Sequence, residues 1–131
     1  MRESKFRGQN RNKTWFRGDV FHRTDDGVKI VEIYDDATGF GGPVLPETVG
    51  QYTERKDARE AEIYDGDIIQ EDYPDWKYIV YWDETMLRWS YRKIGQEQSY
   101  AFAMSPTALR HFTVVGNKWD NPELMQEGGA E

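Results

Sequence analysis

The sequence predicts a mainly-β protein of antiparallel sheets with one or two short helices. Two observations carry that reading. Hydrophobic residues make up only 37% of the 131 residues while aromatics make up 15%, so the core has to be built from large rings, and rings favour strands. Turn signals such as Asp25-Asp26-Gly27, Asp35-Asp36, Asp72-Tyr73-Pro74-Asp75 and Asp83-Glu84 also recur at short intervals, with period-two patterning between them.

In chain order, a short strand is expected near residues 4–7 and a turn at Gly8-Gln9-Asn10. A second strand follows near 14–21. Val28 to Tyr34 is a β-branched run and a further strand. Residues 37–47, with Gly39, Gly41, Gly42, Pro43 and Pro46, read as a loop and a seam between lobes. Glu54 to Glu62 is charged without an apolar stripe and reads as a solvated turn or short helix. Ile63 to Ile69 enters a strand through Gly66, and small barrels of the SH3-like kind often open a strand with such a Gly-Asp step. A hairpin follows, with Trp76, Tyr78, Val80 and Trp82 on one face and Lys77, Ile79, Tyr81 and Asp83 on the other. On its return strand Leu87, Trp89 and Tyr91 are expected inside, and Arg88, Ser90 and Arg92 outside. A turn at Gly95-Gln96-Glu97-Gln98 leads to a strand at Tyr100 to Met104. Ser105-Pro106 reads as a cap and first turn of a helix at 106–110. His111 to Val115 is the last strand, and Asn121-Pro122 repeats the cap pattern. The expected division is 1–48, 49–125 and a disordered tail at 126–131.

Composition bounds the function. Without cysteine there is no disulfide, thiolate metal site or Cys nucleophile. The start carries no apolar segment of a secretory signal, and no apolar run approaches the roughly 20 residues of a membrane span. A cytoplasmic protein with no membrane partner is expected. The net charge is −7, but residues 1–20 carry six basic and two acidic side chains. The acidic remainder repels a nucleic-acid backbone, while the basic strip could touch phosphate. No phosphate-binding loop, dinucleotide fingerprint or nucleophile elbow occurs.

Three blocks point to a family. The chain opens Met1-Arg2-Glu3-Ser4-Lys5-Phe6-Arg7. Gln51-Tyr52-Thr53 is followed by Asp57 and then by Glu62-Ile63-Tyr64-Asp65-Gly66-Asp67-Ile68-Ile69. Val114-Val115-Gly116-Asn117 leads to Trp119-Asp120-Asn121-Pro122-Glu123-Leu124. Taken in this order, the blocks resemble the YopX family of phage and prophage proteins. The resemblance implies a mostly β fold with coiled, bifurcated sheets, a phage or prophage origin in a bacterial host, and no established enzymatic activity. It therefore carries over no catalytic residue. The family usually has Gly-Leu after Gln51-Tyr52-Thr53 and another Gly before the Ile63-Tyr64 step. Glu54-Arg55 and Glu60 stand there, so the segment is expected to be helical rather than a hairpin. An apolar residue usually stands at Ser4 and at Lys118, and an aromatic at Gln9.

The acids at Asp57, Glu62, Asp65 and Asp67 invite comparison with a hard-cation site or a hydrolytic carboxylate pair. Turn chemistry explains them better, so no metal and no cofactor are expected. Trp15, Arg17, Trp76, Trp89 and Arg88 are the candidate binding surface. The favoured function is a non-catalytic binding or scaffold protein, with an unknown protein partner and homo-oligomer formation. Single-stranded nucleic-acid binding is the alternative; a carboxylate- or metal-dependent hydrolase is a further one.

Overall fold

The structure is a computed structural model that describes residues 5–95 and 100–126. Met1 to Ser4 of the opening motif, Gln96-Glu97-Gln98 of the expected turn and residues 127–131 of the tail lie outside the described residues. The fold is mainly β with antiparallel sheets, and the chain divides into two compact units, Met1–Tyr52 and Thr53–Glu131.

The first unit is built from β1 (Phe6–Gln9), β2 (Trp15–Asp25), β3 (Val28–Tyr34), β4 (Gly41–Val44) and the start of β5 (Gly50–Lys56), in the spatial order β4-β3-β2-β1-β5. Its core is Phe16, Ile33 and Val44 with Phe6, Val20, Val31 and Val49 around them. Phe40 adds an edge-to-face contact to Phe16 at 5.2 Å. The far end of β2 and the start of β3 are exposed on both faces.

The segment expected to be a loop contains a strand. Gly41–Val44 pairs with Tyr34 to Val31 even though its sequence is Gly-Gly-Pro-Val. The reason is close approach: a Cβ at Gly41 would collide with the Ile33 carbonyl oxygen, so only glycine lets the two backbones pair. Pro43 is tolerated because β4 is the edge strand of this unit.

The second unit holds the rest of β5, β6 (Glu62–Tyr64), β7 (Asp67–Glu71), β8 (Lys77–Asp83), β9 (Arg88–Lys93), β10 (Phe102–Ala103), α1 (Pro106–Leu109) and β11 (Phe112–Asn117). Five of these strands form a sheet in the order β10-β9-β8-β7-β11. One face packs Ile63, Ile69, Tyr78, Val80, Tyr91, Met104, Leu109 and Phe112. The other packs Ile68, Ile79 and Ile94 under Leu124 and Met125. Burial on both faces corrects the expected one-sided hairpin. Ile79 is buried although it lies opposite the aromatic face, and Ser90, expected outside, is fully buried. Leu87, expected inside, lies in the turn with a φ of 55° and is 70% exposed.

Ser105 caps α1 as expected, its Oγ accepting from the Ala108 N–H at 3.1 Å. Asn121 does not cap the 3-10 turn Pro122–Met125. Its Oδ1 turns back to accept from the Asn117 N–H at 3.1 Å.

Of the two readings of the charged segment, the structure has the turn. The segment is not helical: β5 runs to Lys56 and a tight turn returns the chain into β6. Asp57 drives the turn. Its Oδ1 accepts from the Arg59 and Ala61 N–H groups at 2.8 and 2.9 Å, and Glu60 N–H donates to the Asp57 carbonyl at 3.0 Å. Glu54 and Glu60, the positions where glycine is usual, have φ of 66° and 69°. The chain thus keeps the left-handed backbone without the residue that suits it. We therefore expect Glu54→Gly and Glu60→Gly each to stabilise the fold by on the order of 1 kcal/mol. Urea unfolding of each variant reads this, and a loss of stability would count against the left-handed geometry.

Candidate functional site

The end of the second sequence block, Ile63 to Ile69, and the third block assemble around the Gly66 turn. Asp67 is 1% exposed, and its Oδ2 accepts from the Tyr64 N–H at 2.7 Å, closing the loop that Gly66 allows with a φ of 88°. Ile63 and Ile68 anchor the flanking strands in opposite clusters. Glycine is required at 66 for a second reason: a Cβ there would run into the Trp119 ring. Lys118 N–H donates to the Gly66 carbonyl at 3.0 Å, and Gly66 N–H donates to Val80 at 3.0 Å. The Lys118 ammonium, at a usually apolar position, lies 4.9 Å from the Trp119 ring centroid, so the substitution keeps an attractive contact there.

The third block forms a turn of its own. Asn117 Oδ1 accepts from the Trp119 and Asp120 N–H groups at 3.0 and 2.8 Å. Gly116 is needed because a Cβ would overlap the Asn121 carboxamide. Pro122 and Glu123 are exposed in the following 3-10 turn, and Leu124 packs on the Ile68 cluster.

Asp57 joins the two blocks. Beyond the bonds to its own turn, its Oδ2 accepts from the Val114 N–H at 2.9 Å, 57 residues along the chain. Ala58 N–H donates to the Phe112 carbonyl at 2.9 Å beside it. Thr53 Oγ donates to the Ile63 carbonyl at 2.8 Å. In the first unit, Gln51 pairs opposite Phe6, and Tyr52 N–H donates to the Lys5 carbonyl at 2.7 Å. Gln9, where an aromatic is usual, is buried, and its N–H donates to Thr48 Oγ at 2.9 Å.

The Asp57 carboxylate and Asp67 Oδ2 therefore face backbone N–H groups, and Glu62 Oε1 accepts from the Tyr64 hydroxyl at 2.8 Å. Among the described residues no group of three or more His, Asp or Glu side chains is placed to hold a metal ion.

The predicted binding residues fall in both units. Trp15 lies under the Arg7 guanidinium at 4.7 Å, and Arg17 is exposed on the same strand, both in the first unit. In the second unit Trp76 carries the Lys93 ammonium at 3.5 Å from its ring centroid. Trp89 pairs opposite Trp82 at the other end of the hairpin. At about 3.3 Å per residue, Trp76 and Trp89 stand roughly 20 Å apart along the strands. The rings between them, Tyr78 and Tyr91, are buried against Phe112. Arg88 is held by Ser90 Oγ and by the Ala101 carbonyl, both at 3.2 Å.

A hollow of about 480 Å³ beside Phe112 brings together Glu71, Asp72, Tyr73, Tyr91 and His111. Glu71 accepts a hydrogen bond from the Tyr78 hydroxyl at 2.8 Å, and burial, then that bond, pushes the phenol well above its ordinary range. Burial also pushes Tyr91 up. His111 Nδ1 is 3.9 Å from Asp72, beyond hydrogen-bond reach, and both side chains are largely exposed. Neither Ser90 nor Ser105 is offered to it, since one holds Arg88 and the other caps α1.

A family model described as YopX protein matches residues 5–126. The chain belongs to the YopX family. No curated protein sequence matches it. Among solved structures, this YopX chain is similar to the crystal structure of protein EF1440 from Enterococcus faecalis. The TM-score is 0.61 and the identity 18%, with 96% of this chain and all of that one covered. That likeness establishes a shared fold. The family match spans the second and third blocks and Lys5 to Arg7 of the first.

Sequence reasoning did not single out the tip of the β8–β9 hairpin. Trp82, Met86 and Leu87 are 40%, 55% and 70% exposed there. Trp82 meets Trp89 edge-to-face at 5.4 Å. The Asp83 carboxylate ties the turn down by accepting from the Thr85 and Met86 N–H groups at 3.0 and 3.2 Å. Two apolar residues beside Asp83-Glu84 were the available signal, since a turn exposes what it carries.

Replacing Asp57 with Asn puts an amide where three N–H donors converge. We expect Asp57→Asn to cost about 2–3 kcal/mol in urea unfolding, with an unchanged m value. For Tyr78 and Tyr91 the neutral form is favoured in the folded state. Their contribution is complete below about pH 10, the ordinary phenol value, and is lost as the pH rises toward the higher folded-state values. Tyrosinate absorbance for these two residues should therefore appear only together with alkaline unfolding, and ionisation of both in the folded protein near pH 10 would contradict their burial.

Proposed function

We propose that this YopX chain is a non-catalytic binding or scaffold protein acting through protein–protein contacts, with copies of itself among its partners. The observation that supports this reading is the apolar tip of the β8–β9 hairpin. Trp82, Met86 and Leu87 stand exposed on a turn fixed by Asp83, on a strand pair whose middle is core. Aromatic and Met side chains on a preordered scaffold suit a protein interface, because little conformational entropy is lost on contact. The phage or prophage setting and the bacterial cytoplasm that accompany the family resemblance belong to the same reading.

The alternatives have less support. A single-strand binder needs a continuous row of rings with free cations. Here Trp76 and Trp89 lie at opposite ends of a hairpin, and Arg7 is 4% exposed over Trp15. A hydrolase needs carboxylates that face a substrate, whereas Asp57 and Asp67 face N–H groups.

Sedimentation velocity over a concentration series tests the proposal. Self-association is expected in the parent chain and should fall at least tenfold in Kd terms in Trp82→Glu/Leu87→Glu, a variant whose thermal midpoint should change little. A parent that stays monomeric throughout, and is indistinguishable from the variant, counts against the role of the tip.

A further inference from the structure

In the first unit the two flanks of β3 differ. Toward β2 all seven residues are paired, from Val28 opposite Asp25 to Tyr34 opposite Asp19. Toward β4 pairing stops at Val31, opposite Val44. The chain leaves β3 there because Leu45 N–H donates to the Gln9 carbonyl at 2.8 Å, which carries it across to the end of β1, and Pro46 then opens a 3-10 turn. Among the described residues no strand flanks that side of Val28, Lys29 and Ile30.

The uncovered edge borders a groove of about 570 Å³ that Asn10, Arg11, Asn12, Leu45 and Pro46 also line. Its lining is mostly apolar and includes Val28, Ile30 and Val44. Among the described residues the two charged side chains in the lining, Arg11 and Lys29, are both cations and both exposed, and no acid lines it. An open strand edge beside an apolar groove is the geometry of strand addition, in which main-chain bonds give affinity and the groove selects side chains.

A second copy of this chain is a poor occupant. Symmetric edge-to-edge pairing would bring Arg11 and Lys29 against their own equivalents, and an edge lysine is a common device against such pairing. A strand bearing carboxylates meets no such repulsion. We infer that this slot receives an extended acidic segment of a partner protein, added as a strand beside Val28–Ile30 in line with β4. The inference rests on the reading of the chain as a binding protein, but on a different surface from the hairpin tip.

The probe is an acetylated, amidated hexapeptide alternating glutamate and valine, titrated into the full chain at low salt and followed by backbone amide shifts. Saturable shifts should centre on Val28–Ile30 and Asn10–Asn12 and weaken with salt. A lysine–valine hexapeptide should bind at least tenfold more weakly, and methylating alternate peptide nitrogens of the acidic probe should abolish binding. Arg11→Glu/Lys29→Glu, which changes only exposed side chains, should reverse the preference between the two peptides. Trp82→Glu/Leu87→Glu should leave the titration unchanged, which separates this slot from the tip. Equal binding of the methylated or lysine–valine peptide overturns the proposal. So do shifts located elsewhere, no shifts at all, or shifts at Val28–Ile30 that follow protein concentration without peptide, which would make the edge a contact between copies.

Discussion

The second unit depends on how the Asp57 carboxylate is satisfied. A buried carboxylate is costly unless it is hydrogen-bonded, and this one accepts from three backbone N–H groups, two in its own turn and one on β11. The same side chain thus shapes the β5–β6 turn and fixes the position of β11 against it. Ala58 bonded to the Phe112 carbonyl makes the second tie. With β11 held there, its pairing with β7 shifts by a bulge between Val114 and Gly116, so Gly116 comes opposite Ile68 and Asn117 opposite Asp67. That placement brings Trp119 against Gly66 and leaves room for the Asn121 carboxamide only because residue 116 has no Cβ. The Asp57 clamp, the Gly66 turn and the Asn117 turn are therefore successive steps of one arrangement.

The same dependence explains why two small clusters suffice as a core. The five-stranded sheet is covered on both faces, by Tyr78, Tyr91 and Phe112 on one and by Ile68, Ile79 and Ile94 on the other. The second cluster is closed by Leu124 and Met125, which reach it only because the Asn117 turn directs the chain back. Polar bonds in the motif thus position apolar area, which supplies the larger share of the stabilisation.

Much of this was legible in the sequence. Alternation around Tyr78 and Tyr91 located the hairpin, and Ser105-Pro106 located the helix, because both signals are local. The family blocks marked the turns that matter. What was illegible depended on tertiary contact. Gly41-Gly42-Pro43-Val44 has the composition of a loop and becomes a strand because β3 demands a neighbour without a Cβ. Glu60 has no left-handed preference and adopts that backbone because the Asp57 turn imposes it, and Glu54 adopts it within β5. Ser90 reads as outward-facing, yet it lies on the same face as Ile79, which a second cluster covers, and is fully buried. The groove beside β3 had no sequence signature, since it arises from where β4 stops.

One rule governs both what the motif does and what remains for function. Carboxylates next to a strand-entry glycine draw attention as chemistry, yet burial obliges such groups to find N–H donors, and Asp57 and Asp67 have found theirs in the backbone. The more completely the motif satisfies itself, the less of it is offered to a ligand. In the proposed binding role, recognition falls to groups the fold has no use for, namely the rings and aliphatic chains at the end of a hairpin and the backbone edge that β4 leaves uncovered. These are features that a second protein can complete, one by burying apolar area and the other by pairing a strand.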